Sequence, residues 1–208
     1  MTSHLSLNAR IQEFKQLVEK IQITDAKHKT YPQELGIQKA LDLLEEIRDR
    51  KGAVYFVGNG GSSALVSHIL TDFINGVGLR TYTLHEPALL TCMSNDYGYE
   101  NAFAKVLANQ AVKEDLLIAV SSSGRSRNIH QAVREMIKIK GKVLTLSGFS
   151  SDNALRQMGD LNIWIDSCDY GLVEIGHLFI LHNLADCLGH KKINGFKSRK
   201  LRKHYVKG

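Results

Sequence analysis

Read for the spacing of its apolar positions, the chain opens with two helical stripes. Ile11, Phe14, Leu17, Val18 and Ile21 recur at intervals of three and four, which predicts a helix over about Leu7 to Ile23. A second follows Pro32, over about Gln33 to Arg48, with Leu35, Ile37, Ala40, Leu41, Leu44 and Ile47 on its stripe. From Ala53 the rhythm changes to short apolar runs alternating with helical stretches. Strands are predicted at Ala53 to Val57, Arg80 to Leu84, Leu116 to Val120, Lys142 to Leu146 and Leu161 to Ile165. Helices are predicted at about Ser63 to Asn75, Pro87 to Ala111, Arg127 to Lys140, Asp152 to Met158 and Gly171 to Leu188. Mostly apolar strands separated by helices belong to a parallel sheet covered on both faces. The expected fold class is therefore α/β: a doubly wound, mostly parallel five-stranded sheet flanked by helices, with two N-terminal helices. Residues 1–190 read as one domain with its helical pair in 1–50, and 191–208 as a separable tail. Two striped helices ahead of the first strand need something to cover, and a partner subunit is the natural candidate.

Composition adds limits. At 208 residues, 43% hydrophobic and 23% charged, the chain is ordinary for a globular protein with a core of its own. Cys92, Cys168 and Cys187 are odd in number, widely spaced and form no CxxC, so they read as reduced thiols of a cytoplasmic protein. No basic segment followed by an apolar stretch opens the chain, and no membrane partner is expected. The net charge of +6 belongs to the tail. Lys191, Lys192, Lys197, Arg199, Lys200, Arg202, Lys203 and Lys207 exceed it by themselves, with no acidic residue among them. Such a tail can touch nucleic acid, but a solvated terminal segment is the plainer reading.

The chemistry sits in two loops that follow strands, where open α/β sheets bind ligands. Gly58-Asn59-Gly60-Gly61-Ser62-Ser63 lets backbone N–H groups turn toward a ligand at a helix start. It lacks the last glycine of a dinucleotide fingerprint and the lysine of a Walker A loop, so no nucleotide cofactor is expected. Ser121-Ser122-Ser123-Gly124-Arg125-Ser126 offers four hydroxyls at another helix start. An ordinary N-cap needs one. Four hydroxyls with a helix N-terminus are the donor set of a phosphate site.

The pairing of GNGGS after one strand with SSSGRS after a later one resembles the sugar isomerase (SIS) domain. With Ser94-Asn95-Asp96-Tyr97-Gly98-Tyr99 it is similar to the phosphoheptose isomerase group of that superfamily, over about Gly52 to Leu188. The resemblance implies that Asn59, Gly60, Asn95, Asp96, Ser121, Ser122, Ser123 and Ser126, with Ser62 of the glycine loop, bind a phosphorylated sugar. It also implies a Zn²⁺ (or similar divalent) site at His68, Asp72, Glu174 and His182. The family's spacings of four and eight are kept here, with Asp in place of Glu and Glu in place of Gln. Gly171-Leu172 stands where the group has an Asp-Arg pair.

By the same resemblance the protein is an intramolecular oxidoreductase, a phosphosugar aldose–ketose isomerase. It would convert sedoheptulose 7-phosphate to D-glycero-D-manno-heptose 7-phosphate for cell-surface polysaccharide. Isomerisation through an enediol needs a base and an acid–base shuttle, roles that fall to Asp72 and His182 with Glu174 as a second base. Residues eight apart on a helix lie about 12 Å apart along its axis, while metal–ligand bonds are about 2 Å. Glu174 and His182 are therefore expected to reach different copies of the site in a homo-oligomer, a tetramer or dimer. The alternatives are a non-catalytic phosphosugar-binding regulator of the same superfamily, of the kind associated with replication initiation, and an isomerase of another sugar phosphate.

Overall fold

The computed structural model describes residues 6–195, the side chains of 190–195 excepted, so most of the basic tail lies outside it. Ser6 starts the first helix: its hydroxyl accepts from the Ala9 N–H, and Leu7–Glu19 (α1) follows. The helix stops short of the predicted end at Ile23. Gln22–Asp25 is instead a strand (β1), as its β-branched Ile23 and Thr24 favour. Asp25 then turns the chain, its Oδ1 accepting from the N–H groups of Lys27 (2.8 Å) and Lys29 (3.0 Å). Thr30–Tyr31 (β2) returns antiparallel, and the Tyr31 hydroxyl donates to Asp25 Oδ2 at 2.7 Å.

Ile23 shows why this segment is not helical. It is fully buried under the next helix, Gln33–Asp49 (α2), at the place where α2 carries Gly36. A Cβ on Gly36 would lie 2.6–2.8 Å from the Ile23 side chain. β1 also pairs antiparallel with the last strand of the sheet, Ile23 opposite Ile163. Burial and edge pairing, both long-range, override the helical period.

The remaining strands are Ala53–Val57 (β3), Arg80–Thr83 (β4), Leu116–Ser121 (β5), Lys142–Ser147 (β6) and Leu161–Trp164 (β7). They form the predicted parallel sheet, and the β1–β2 hairpin extends it to seven strands in the order β2-β1-β7-β6-β5-β3-β4. The helices between them are Gly61–Asp72 (α3), Pro87–Tyr97 (α4), Ala102–Gln110 (α5), Arg127–Ile139 (α6) and Tyr170–Gly195 (α7). The predicted helical stretch from Pro87 to Ala111 is thus two helices, separated by Gly98 in the left-handed region. Alternate strand residues serve opposite layers. Val54, Phe56, Leu116, Ile118 and Val120 join the core under α2, α3 and α7. Tyr55, Val57, Leu117 and Ala119 join the core under α5 and α6. Strands buried on both faces need no polar alternation, so their sequences read as continuous apolar runs.

α3 passes directly into a π-helical turn, Phe73–Val77, closed by Gly78 in the left-handed region. Over Tyr170–Gly189, α7 is long and apolar enough to cross a membrane, with a mean hydropathy of 1.2. Half of that window is buried in the protein, packed against α1, α2 and α3. This apolar character is that of a core helix. α7 is tied to the sheet by His177, fully buried, whose Nε2–H donates to the Ser147 carbonyl at the end of β6 (3.1 Å). α1 buries no residue fully and leaves Leu7 and Ile11 exposed.

Two measurements check this packing. Ile23→Ala should lower stability in urea unfolding by about 2–5 kcal/mol, the cost of emptying a fully buried aliphatic site. Burial pushes the His177 imidazole down to about 4 from 6.5. Between those values the unfolded chain takes up a proton that the folded chain refuses, so stability falls as pH drops through that window. The loss should approach about 3 kcal/mol by pH 4, and His177→Gln should flatten it in unfolding curves recorded at pH 7 and pH 4.5.

Candidate active site at the switch point of the sheet

From β3 the chain crosses outward to β4, whereas from β5 it moves the other way, to β6 and then β7. The crevice at such a reversal lies beyond the carboxyl ends of β3 and β5. The two loops singled out in the sequence are those that leave β3 and β5. They stand side by side because β3 and β5 pair directly, Val57 opposite Ala119.

The glycine loop is tightly curled. A Cβ on Gly58 would lie 2.7 Å from the Ser62 carbonyl, and Gly60 has φ 52°, so only glycine suits either place. Ser62 is buried in this curl, in the first turn of α3. The Gly58 N–H donates to His85 Nε2 (3.3 Å), at the end of β4. Burial holds that imidazole below its ordinary pKa and so in the neutral form that can accept. Asn59 Oδ1 accepts from Tyr99 Oη and from Asn128 Nδ2, both at 2.8 Å, while Asn59 Nδ2 donates to Asn128 Oδ1 at 2.9 Å. Gly61, the first residue of α3, lies under Glu174 of α7. A Cβ there would sit 2.2 Å from the Glu174 carboxylate. A carboxylate thus rests at the positive end of α3.

The serine loop is built differently. Ser126 stands at the N-cap of α6 but its side chain makes no capping bond, unlike Ser6 at α1. Its hydroxyl faces that of Ser121 at 3.3 Å. The reading of the loop as an ordinary serine cap therefore fails at the residue that would have to provide it. Ser122 is buried and its hydroxyl has no partner within the protein. Ser123 Oγ accepts from the Arg125 N–H at 3.3 Å. Gly124, with φ 63°, leaves its Cβ position to the side chain of Asn153, and its carbonyl accepts from His130 Nε2 (2.8 Å) and the Leu155 N–H (3.3 Å). The loop is held from behind, with hydroxyls and first-turn N–H groups at its open side. α3 carries a carboxylate at its N-terminus and α6 does not, so an anion is drawn to α6.

Asn95 and Asp96 lie exposed near the end of α4 and bond to each other, Asn95 Nδ2 to Asp96 Oδ1 at 2.9 Å. Tyr99 brings that end of α4 to the glycine loop. Gly171 and Leu172, where the resembled group has Asp-Arg, lie next to an ion pair between Asp169 and Arg10. Asp169 Oδ1 accepts from the Leu172 N–H (3.0 Å), and its Oδ2 accepts from Arg10 of α1 (2.9 Å). These bonds, the Leu172 N–H first, hold the Asp169 carboxyl below the usual carboxylate range.

The ionisable set falls into two groups. α3 and α7 run side by side in the same direction, Gly61 under Glu174 and Asp72 beside His182. Asp72 Oδ2 and His182 Nδ1 are 2.8 Å apart, and the His68 ring meets that of His182 with centroids 5.3 Å apart. Glu174 stands by the glycine loop instead, at the far end of α3, about 16 Å along the helix from Asp72. Among the described residues no three His, Cys, Asp or Glu side chains converge as a metal-ligand set. The donor types suit Zn²⁺, but within one chain the four residues do not form its cage. Chemically, the contact places a carboxylate against an imidazole, a pair of groups able to take up and return protons. His85, Tyr99, Asn128, His130 and Asn153, which brace the loops, were not picked out from the sequence. Only Asn128, a polar residue in the first turn of α6, carried a local hint.

The SIS domain family matches this chain over residues 18–148. A phosphoheptose isomerase of Helicobacter pylori is 31% identical over 163 residues, 74% of this chain and 84% of that one. One from Burkholderia pseudomallei is 34% identical over 162 residues, 74% of this chain and 81% of its own length. The structure of a phosphoheptose isomerase from Francisella tularensis superposes with a TM-score of 0.78 at 26% identity, covering 91% of this chain and all of that one. The sugar isomerase domain of an RpiR transcription factor from Sphaerobacter thermophilus, 15% identical with a TM-score of 0.57, shares the fold alone. With both loops at the switch point and relatives of this identity along most of its length, the chain belongs to the SIS domain family and, within it, to the phosphoheptose isomerases.

Proposed function

We propose that this protein is a phosphosugar aldose–ketose isomerase that converts sedoheptulose 7-phosphate to D-glycero-D-manno-heptose 7-phosphate. The observation that favours an enzyme over a phosphosugar-binding regulator of the same fold is the close approach of Asp72 Oδ2 to His182 Nδ1, 2.8 Å. Binding a phosphosugar requires the two loops; it does not require an oriented carboxylate–imidazole pair.

The serine loop and the N-terminus of α6 hold the phosphate and so fix one end of the sugar. Asp72 and His182 act as one acid–base unit. A proton leaves carbon 1 of the ketose, an enediol forms, and a proton returns at carbon 2, while the oxygen protons exchange through the same unit. Glu174, beside the glycine loop, is the second base. Because it and the Asp72–His182 pair lie at opposite ends of α3, we assign the working site to two copies of the chain. Support comes from Leu7, Ile11, Ile175 and Phe179, exposed on α1 and α7, and from a groove of about 350 Å³ lined by Val18, Ile37, Leu41 and Phe179. A divalent ion, Zn²⁺ first, belongs to the proposal only in that assembly, where Glu174 of a second copy would have to draw His68, Asp72 and His182 into the ligand set that one chain does not form. It would supply Lewis acidity at the carbonyl. A cytoplasmic site of action and a product destined for cell-surface polysaccharide complete the proposal.

Incubation with sedoheptulose 7-phosphate, followed by aldose detection, should show turnover. Asp72→Asn and His182→Asn should each lower kcat by about 10²–10⁴-fold with little change in KM, whereas Ser122→Ala should raise KM. Inertness toward heptose, hexose and pentose phosphates alike would return the protein to the regulators. Phe179→Glu should reduce the sedimenting mass to that of one chain and remove bound zinc, read by elemental analysis, in the same step.

A further inference from the structure

Three residues from separate parts of the chain meet at the glycine loop: Asn59 after β3, Tyr99 between α4 and α5, and Asn128 in the first turn of α6. Their hydrogen bonds determine one another. The Ile129 N–H can only donate, and it donates to Asn128 Oδ1 at 3.0 Å, which settles which end of the Asn128 carboxamide is oxygen. That oxygen also receives Asn59 Nδ2 (2.9 Å), and Asn128 Nδ2 returns a bond to Asn59 Oδ1 (2.8 Å). Asn59 Oδ1 is thereby an acceptor, so the Tyr99 hydroxyl at 2.8 Å is its donor. Both lone pairs of Asn59 Oδ1 are then engaged, and one of its two Nδ2 hydrogens. The second Nδ2 hydrogen is the one polar position of the Asn59 side chain left unengaged among the described residues.

We propose that Tyr99 and Asn128 are positioning residues that fix Asn59 as a hydrogen-bond donor to an oxygen of the sugar, and exclude it as an acceptor. The arrangement joins both ligand loops, since Asn128 lies two residues beyond Ser126 and is buried. It also ties to them the end of α4 that carries Asn95 and Asp96. Tyr99 is half exposed, so its ring is not needed to fill the core and its hydroxyl is the informative part. The identity of the ligand rests on the isomerase reading; the orientation of Asn59 does not.

The test separates the two. In the ligand-free protein, side-chain amide NMR should show a slowly exchanging Asn59 Nδ2–H, lost in Tyr99→Phe and retained in Ser126→Ala. For sedoheptulose 7-phosphate, Tyr99→Phe should raise KM by about 5–15-fold, the worth of one such bond, with kcat within about twofold and no change in melting temperature. Asn59→Asp, which puts an acceptor where the donor stood, should raise KM by more than 100-fold, on the order of a wrongly paired polar group. In an Asn59→Ala background, Tyr99→Phe should have no further effect on KM. An unchanged Asn59 signal in Tyr99→Phe would overturn the proposal, as would additivity of the two substitutions. Failure of the wild type to turn over any sugar phosphate, with the NMR linkage intact, would instead remove the isomerase reading.

Discussion

The parallel pairing of β3 with β5 is the contact on which the site depends. It joins two strands that are 62 residues apart in register, Val54 opposite Leu116 through Val57 opposite Ala119. The chain leaves these strands in opposite directions, so nothing fills the crevice beyond their ends. Two helix N-termini are thereby placed next to each other. Left alone they would attract anions equally. The carboxylate of Glu174 over Gly61 breaks that equivalence, whereas the first turn of α6, next to the serines, carries no acidic residue.

A second consequence follows from how α3 and α7 pack. Both start at the carboxyl edge of the sheet and run in the same direction, so residues at similar depth meet. Glu174 therefore meets Gly61, and His182 meets Asp72. The ionisable residues are spread along a helix and do not gather at one point. The proposed binding loops and the proposed proton-transfer pair, Asp72 with His182, therefore stand at places that a single chain holds apart. Exposed apolar residues on α1 and α7 mark the face through which a second chain would bring the two together.

Family membership and fold do not carry the same information. SIS-fold domains occur in transcription factors as well as isomerases, so the sheet and its crevice are compatible with either role. The choice between them rests on side-chain chemistry, which the fold does not set.

By itself, the amino-acid sequence determined the five parallel strands, the helices between them and both ligand loops. These are local matters: apolar period, glycine where φ is positive, serines at a helix start. It also placed His68 with Asp72 on one helix, since a spacing of four residues is a contact in any helix. The β1–β2 hairpin was not legible, because Ile21 continues the helical spacing of Leu17 and Val18 and only burial of Ile23 under Gly36 and pairing with β7 make a strand. Nor were the bonds that orient Asn59, whose partners lie 40 and 69 residues away. Period and turn chemistry act over a few residues and can be read along the chain. Hydrogen bonds between distant side chains exist only once the sheet has brought their backbones together, so tertiary structure alone decided which atoms the site presents.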